Sequence, residues 1–398
     1  MSRAVRRATS FDDLPDDISF NIFFRVPVKS LIRSSAVSKS WYSLVKNPNF
    51  VSAHISHSIS SLNEDTVLLI PTAMMHVKHC YLVSAETGFV FDKYEVPFTT
   101  AIDNLTLVGS VNGLVCFTYV DYVASYPSLY VWNPSLRKYR CIVSSSFRKR
   151  YPSEVLISFA HGFGFHEDSG DYRVVRIMYV NDRRDELTPR VEVFSLRNNK
   201  WRPCRTKNTI LPRVDSRTGI TVNSTVYWLK RGSYTTNSEG VWILWYDFNS
   251  EVFGEIKLPD DVCYEKIADF QLMKFEGSLS VCVRYRPTKI KKSLTEIKNK
   301  KKLRQRCCIW LISHEDDIVS STLRFRVVLK KFGEPLNITN GGDLLMKRSF
   351  AWRTSATVLS CNLKKMQYRR LKFPKAPYRV ETSFIESLAG DELLISAK

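Results

Sequence analysis

This chain of 398 residues lacks several things, and each absence removes a class of protein. No apolar run approaches the roughly 18 residues that span a bilayer as a helix. The longest stretches, such as Val241 to Tyr246, are strand-sized, so no membrane partner is expected. The basic residues Arg3, Arg6 and Arg7 are not followed by an apolar stretch, which argues against a secretory signal. Nine cysteines, an odd number without one C-x-x-C pair, read as reduced thiols of a cytoplasmic or nuclear protein. Cys307 and Cys308 are adjacent, a poor basis for a bridge, and the sequons at Asn104, Asn223 and Asn337 then carry no meaning. Acidic charge is also short: 39 Asp and Glu stand against 59 Lys and Arg, a formal net charge of +20.

Signatures of chemistry are missing too. Gly162-x-Gly164 has no third glycine and no following helix to cradle a phosphate, and it reads as a turn between two strands. His76-x-x-His79-Cys80 offers metal-ligand types, but on a strand positions 76 and 79 face opposite sides and no fourth ligand lies near. No serine sits in a Gly-x-Ser-x-Gly elbow. Catalytic residues, a metal site and cofactors are therefore not expected, and the chain reads as a non-catalytic binding protein.

What is present begins at residues 14 to 50. Pro15 suits a first helical turn, and Asp16 and Asp17 complement the positive end of the helix dipole. Ile18, Ile22 and Val26 repeat at i+4 and share one face, while Phe20, Phe23 and Phe24 fall on others. Val26-Pro27 stops this helix, because a residue before proline disfavours the α region. A second helix carries Leu31 and Ile32. A third starts at Ser38 as N-cap and carries Trp41, Leu44 and Val45, before Pro48 opens another helical turn. Three short helices of roughly 40 residues cannot bury so many apolar side chains among themselves. The surplus is a docking signal.

Those residues resemble the F-box of large plant families, through Leu14-Pro15-Asp16-Asp17-Ile18, Arg25-Val26-Pro27-Val28-Lys29-Ser30-Leu31, Val37-Ser38-Lys39-Ser40-Trp41 and Asn47-Pro48-Asn49-Phe50. The pattern departs from the family at Asn21, Ser34-Ser35 and Ala36. The resemblance implies docking on a Skp-type adaptor and through it on a cullin. Leu14, Pro15, Ile22, Leu31 and Val37 are the candidates for the adaptor surface, and Ile18, Val26, Trp41 and Leu44 for the internal core.

From about residue 62 helical spacing disappears, and short runs of Val, Ile, Tyr, Trp and Phe alternate with turn formers. One unit recurs: apolar residues, a small polar residue, a turn, then an aromatic and a basic strand. It is anchored at Ser84, Asn133, Ser195 and Asp247, in steps of 49, 62 and 52 residues, with further copies at Leu359 to Tyr368 and, in degraded form, Cys308 to Leu311. A second signal, Val111-Asn112-Gly113, Val222-Asn223-Ser224 and Phe275-Glu276-Gly277, marks hairpin turns. Hairpins every 50 to 60 residues fit the kelch period of roughly 50 and the blades of a propeller.

The region resembles the F-box-associated, kelch-like domain of the same plant families. The matches are Gly109 to Val115, Val131-Trp132-Asn133-Pro134, Gly162-Phe163-Gly164-Phe165-His166 and Asp171 to Ile177, with Val222 to Leu229 and Leu258-Pro259 in support. The expected organisation is a disordered tail (1–9), an F-box (10–56) and a mainly antiparallel all-β domain, a kelch-like β-propeller (57–396). A basic loop is inserted at about 284–306, where eleven Lys or Arg stand against one Glu. Such a run self-repels. Its segment Lys298, Lys300, Lys301, Lys302, Arg304 and Arg306 is a candidate nuclear-import signal, and it offers only Tyr285 for stacking on bases, so nucleic acid is not the expected partner. The resemblance implies the substrate receptor of a Skp–cullin–F-box ubiquitin ligase with an unknown protein target; the excess of positive charge makes an acidic target the expectation, in cytoplasm or nucleus. The competing expectation is a propeller module for nucleic acid or carbohydrate whose F-box serves assembly alone.

Overall fold

The computed structural model of the chain describes residues 15–60, 66–71, 79–98, 105–119, 127–142, 155–181, 187–204, 211, 213–231, 240–262, 268–285, 305–315, 318–329, 333–348, 357–372, 378–381 and 384–396. The expected tail at 1–9, Leu14, His76 and the basic residues Lys298, Lys300, Lys301, Lys302 and Arg304 lie outside the described residues.

Four helices come first: α1 (Asp16–Phe23), α2 (Val28–Ser35), α3 (Lys39–Lys46) and α4 (Pro48–Ser60). Proline precedes or opens three of them, where a missing N–H is not missed. Ser38 holds the N-cap position of α3 in extended backbone, but its hydroxyl bonds to Ser40 instead of capping the helix. The single turn expected at Pro48 is a 13-residue helix that runs four residues past the boundary drawn at 56. Phe23, Val28, Leu31, Val45 and Phe50 are buried together. Phe20 meets Phe50 edge-on at 5.2 Å, and Phe23 meets Trp41 at 5.1 Å.

The rest is a six-bladed propeller of antiparallel sheets. The first blade takes β1 (Thr66–Pro71), β2 (His79–Ser84) and β3 (Val90–Glu95). The second takes β4 (Leu105–Val111), β5 (Leu114–Tyr119), β6 (Ser128–Asn133) and β7 (Lys138–Ile142). The third has β8 (Val155–His166), β9 (Asp171–Asn181), β10 (Leu187–Ser195) and β11 (Lys200–Pro203). The fourth has β12 (Ile220–Val222), β13 (Thr225–Arg231), β14 (Val241–Asp247) and β15 (Phe253–Lys257). The fifth has β16 (Ala268–Phe275), β17 (Ser278–Tyr285), β18 (Gln305–Glu315) and β19 (Ile318–Leu329). The sixth has β20 (Gly333–Ile338), β21 (Asp343–Arg348), β22 (Thr357–Asn362) and β23 (Gln367–Leu371). Finally β24 (Tyr378–Glu381) pairs with β1 and completes the first blade, and β25 (Ile395–Ser396) adds to the edge of β7.

The strands β4, β8, β12, β16, β20 and β24 touch in succession, and β24 touches β4. They close a ring around an axial channel. Closure depends on the chain's end returning to its first blade.

Alternate residues of each strand feed two different cores, which explains runs of apolar residues without polar alternation. In β1, Leu68 and Ile70 pack toward the second blade, while Val67 and Leu69 pack toward the sixth. In β9, Tyr172 and Val174 face the second blade, and Val175, Ile177 and Tyr179 face the fourth. One such core lies between each pair of neighbouring blades. Gly162 and Gly164 belong to this packing. They lie inside β8, not in a turn as the sequence suggested. A Cβ on Gly164 would stand 2.1 Å from the Phe248 ring, and one on Gly162 would stand 2.8 Å from Val226.

In five of the blades, all but the fifth, the recurring polar anchor is the turn between the third and fourth strand. Its side chain accepts hydrogen bonds from the backbone two or three residues on: Ser84 from Glu86 and Thr87, Asn133 from Leu136, Ser195 from Asn198, Asp247 from Asn249 and Ser250, Asn362 from Lys365. This is the local closure that Asx and serine turns provide. Four residues after each anchor the backbone turns left-handed, at Gly88, Arg137, Asn199, Glu251 and Met366. The asparagine-glycine signal is the first-to-second turn: Asn112 and Gly113 both have positive φ, and a Cβ on Gly113 would stand 2.3 Å from that of Ser387.

Two imidazoles are sealed inside. His161 is fully buried, and burial together with the Arg176 charge holds its pKa well below the usual 6.5. Arg176 is itself buried, 2.5 Å from Glu192 and over the Trp201 ring. His54 is lowered mainly by burial, against a hydrogen bond between its ring and the Val26 carbonyl. Burial disfavours the charged form of both in the folded state, while both take a proton near 6.5 when unfolded, so stability is present above that pH and falls below it. Each imidazole contributes up to about 1.4 kcal/mol per pH unit below that value. Thermal melts at pH 7.5 and 5.5 should show a drop in Tm that is smaller in His161→Gln. A second expectation concerns Asn133: Asn133→Ala should cost about 2–4 kcal/mol in chemical denaturation, because three hydrogen bonds of a buried amide are lost.

Candidate functional site

The helical unit has two sides. On the outer one, Ile18 is 47% exposed, Ile22 40% and Val37 78%, with Pro15 exposed beside them at the start of α1. Ile18 and Ile22 are one turn apart, so they form a short apolar stripe on α1. Two expectations change. Ile18 was assigned to the core, but the three phenylalanines of α1 take the inner side and leave it outside. Leu31 was assigned to the docking surface, but it is fully buried, because the inner side of α2 is pressed against α3 and the propeller. Val26, Trp41 and Leu44 pack against the core, and Leu14 lies outside the described residues.

The inner side is seated on the propeller. Leu136, from the β6–β7 turn, and Leu388, from the segment after β24, join the helical core, and Ile55 of α4 packs on the core between the second and third blades. Lys29 of α2 pairs with Asp92 of β3 and lies over the Tyr94 ring. The Tyr94 hydroxyl donates to Glu386 at 2.6 Å. Lys46 of α3 and Lys138 of β7 share Asp391. The Asn133 amide donates to the carbonyls of Ser387 and Ala389 at 3.0 and 2.9 Å. Residues 384–394 are thus wedged between helices and blades. Leu136 and Leu388 were missed in the sequence, since nothing local marks a leucine in a turn as an interface residue.

Between the helices and the blades lies a chamber of about 1120 Å³. Tyr42, Val51, Ile55 and Ile59 line it from the helical side. Asn112, Glu167, Asn223, Lys274 and Asn340, from the first hairpins of blades two to six, line it from the propeller. Lys274 also lines the axial channel, so it stands where the two spaces meet. The helices therefore cover the face of the propeller that carries its tight hairpins.

The ends of the second strands and the starts of the third strands lie at the opposite end of the blades. Residues 286–304, between Tyr285 of β17 and Gln305 of β18, lie outside the described residues. At their base Arg306 is exposed, and Arg284 pairs with Asp269 at 2.6 Å. Among the described residues all eight cysteines are free thiols, and no group of three or more His, Cys, Asp or Glu is placed to hold a metal ion.

A four-helix docking unit fixed to one face of a six-bladed propeller defines the class of protein. The F-box domain model matches residues 11–52, and the model of the F-box associated beta propeller domain matches residues 73–330. The chain belongs to that family of F-box proteins. An F-box/kelch-repeat protein of Arabidopsis thaliana is 31% identical over 276 residues, covering 66% of this chain and 70% of its own. A second Arabidopsis thaliana relative, described as a putative F-box protein, is 26% identical over 352 residues, covering 85% and 80%. Among solved structures, an oligogalacturonate lyase of Vibrio parahaemolyticus aligns over 77% of this chain and 79% of its own at 10% identity and a TM-score of 0.39, a likeness too low to bear on function.

The wedge generates a prediction. Leu388→Ala should cost about 2–4 kcal/mol of helical-unit stability. Hydrogen exchange should speed up in α2 to α4 while amides of β9 and β14 keep their protection.

Proposed function

We propose that the chain is the substrate-recognition subunit of a Skp–cullin–F-box ubiquitin ligase. The observation that carries this reading is the division within the helical unit. Its inner side is spent on the propeller, while among the described residues Ile22 and Val37 remain exposed. Pro15, Ile22 and Val37, with Leu14, are the assigned contacts of a Skp-type adaptor, which brings the cullin; Ile18 joins them on its exposure. Membership of the F-box family supports the assignment.

A receptor of this kind does no chemistry. It holds a target near ubiquitin carried by the assembled ligase, and proximity supplies the rate. The wedge of residues 384–394 suits that role, because a rigid seat turns the position of the adaptor into a defined position of the propeller. We assign the target contact to the connections at the end away from the helices, since loops on a rigid scaffold carry recognition. The net charge of +20 favours an acidic target through steering. The basic run before Arg306 we assign to nuclear import, with the protein acting in cytoplasm and nucleus.

The test is capture of a purified Skp-type adaptor by the full chain. Each exposed aliphatic side chain that an adaptor buries contributes about 1.5–3 kcal/mol. Ile22→Asp combined with Val37→Asp should therefore weaken capture by at least about a hundredfold, leaving the melting of the propeller unchanged. Undiminished capture by that variant refutes the docking surface, and no capture by the parent chain refutes the receptor reading.

A further inference from the structure

We propose that the chamber between the helical unit and the propeller binds a small amphipathic organic anion. At about 1120 Å³ the space is slightly larger than the roughly 300–1,000 Å³ that ligand pockets occupy. Its two walls differ in chemistry. The helical wall carries an apolar strip, Val51, Ile55 and Ile59 along one side of α4 with Tyr42 beside them, next to Ser52 and Ser56. From Val51 to Ile59 the helix rises about 12 Å, which sets the length of an apolar body laid along it. Tyr42 and Ile59 are 52% and 49% exposed, large apolar surfaces that the chain leaves open toward this space.

The propeller wall is polar, and its charged side chains differ in their partners. Asp391 takes Lys46 and Lys138. Glu167 accepts the Ser224 hydroxyl at 2.8 Å. Glu392 acts on Lys46, and Arg197 donates to the Gly170 carbonyl. Lys274 is half-buried at the junction with the axial channel and has no acidic partner among the described residues. A half-buried lysine without an acidic partner is favoured by an anion seated beside it. An apolar strip facing Lys274 selects a ligand with a hydrocarbon or aromatic body and one carboxylate, sulfonate or phosphate head. Such a ligand would touch α4 and the β16–β17 hairpin together, and so strengthen the seat of the F-box.

The test needs no adaptor or target, so its outcome is separate from that of the receptor reading. The full chain is titrated with 8-anilinonaphthalene-1-sulfonate by fluorescence, and the probe is displaced with decanoate or with uncharged decanol. One saturable site per chain is expected. Lys274→Met should weaken the probe and decanoate about tenfold and leave decanol unchanged, while Ile59→Asp should weaken all three. Melting temperatures of both variants without ligand check that the fold is kept. Absence of saturable binding, or decanoate affinity unaffected by Lys274→Met, overturns the proposal. Equal weakening of decanoate and decanol in that variant overturns the role of the charge, because a merely structural effect does not distinguish the two.

Discussion

The architecture depends on where the last twenty residues go. β24 pairs with β1 and supplies the innermost strand of the first blade, so the ring is shut by the two ends of the β domain. Without that strand the first blade has three strands, and the cores flanking it lose Val380 on one side and Phe384 on the other. The chain then turns back across the hairpin face, where its backbone is held by the Asn133 amide and Leu388 enters the helical core. It ends as a fifth strand on the second blade. A single segment thus closes the propeller and seats the F-box.

That arrangement explains the double use of polar residues at the second blade. Asn133 closes its own turn through its carbonyl oxygen and clamps the returning chain through its amide nitrogen. The corresponding anchors at Ser84 and Ser195 have one hydroxyl and serve chiefly their own turns; Ser195 also donates to Asp171 within the blade. Asparagine is suited to the blade where two chains must be held, because it carries an acceptor and two donors on one rigid group. The ion pairs around the seat, Lys29 with Asp92 and Lys46 with Asp391, are partly exposed. They orient the helices more than they hold them, since pairs at such positions contribute little net energy.

The repeats were legible in the sequence for a physical reason. A small polar residue followed four positions later by a left-handed residue is a local solution to a local problem, so five of the blades write it again. The helix stops at Val26-Pro27 were legible likewise, because proline acts on its own neighbours. Less legible were the two sides of α1. Ile18, Ile22 and Val26 form a regular i+4 series, yet Phe20, Phe23 and Phe24 won the interior, since larger aromatic surfaces gain more from burial and had Phe50 and Trp41 to meet. Gly162 and Gly164 were misread for a related reason. A glycine pair resembles a turn locally, while its cause here is the ring of Phe248 from the next blade.

By itself the sequence determined the two-part plan, the positions of the turns and the identity of the helical motif, because these follow from interactions within a few residues. The tertiary structure alone decided the number of blades, the closure by β24, the burial of Leu31 and the seating of the helices through Leu136 and Leu388. Those depend on contacts between residues that are often hundreds of positions apart, such as Asn133 with Ser387 and Tyr94 with Glu386. No local pattern encodes such a pairing, because its free energy appears only once both partners have left water together.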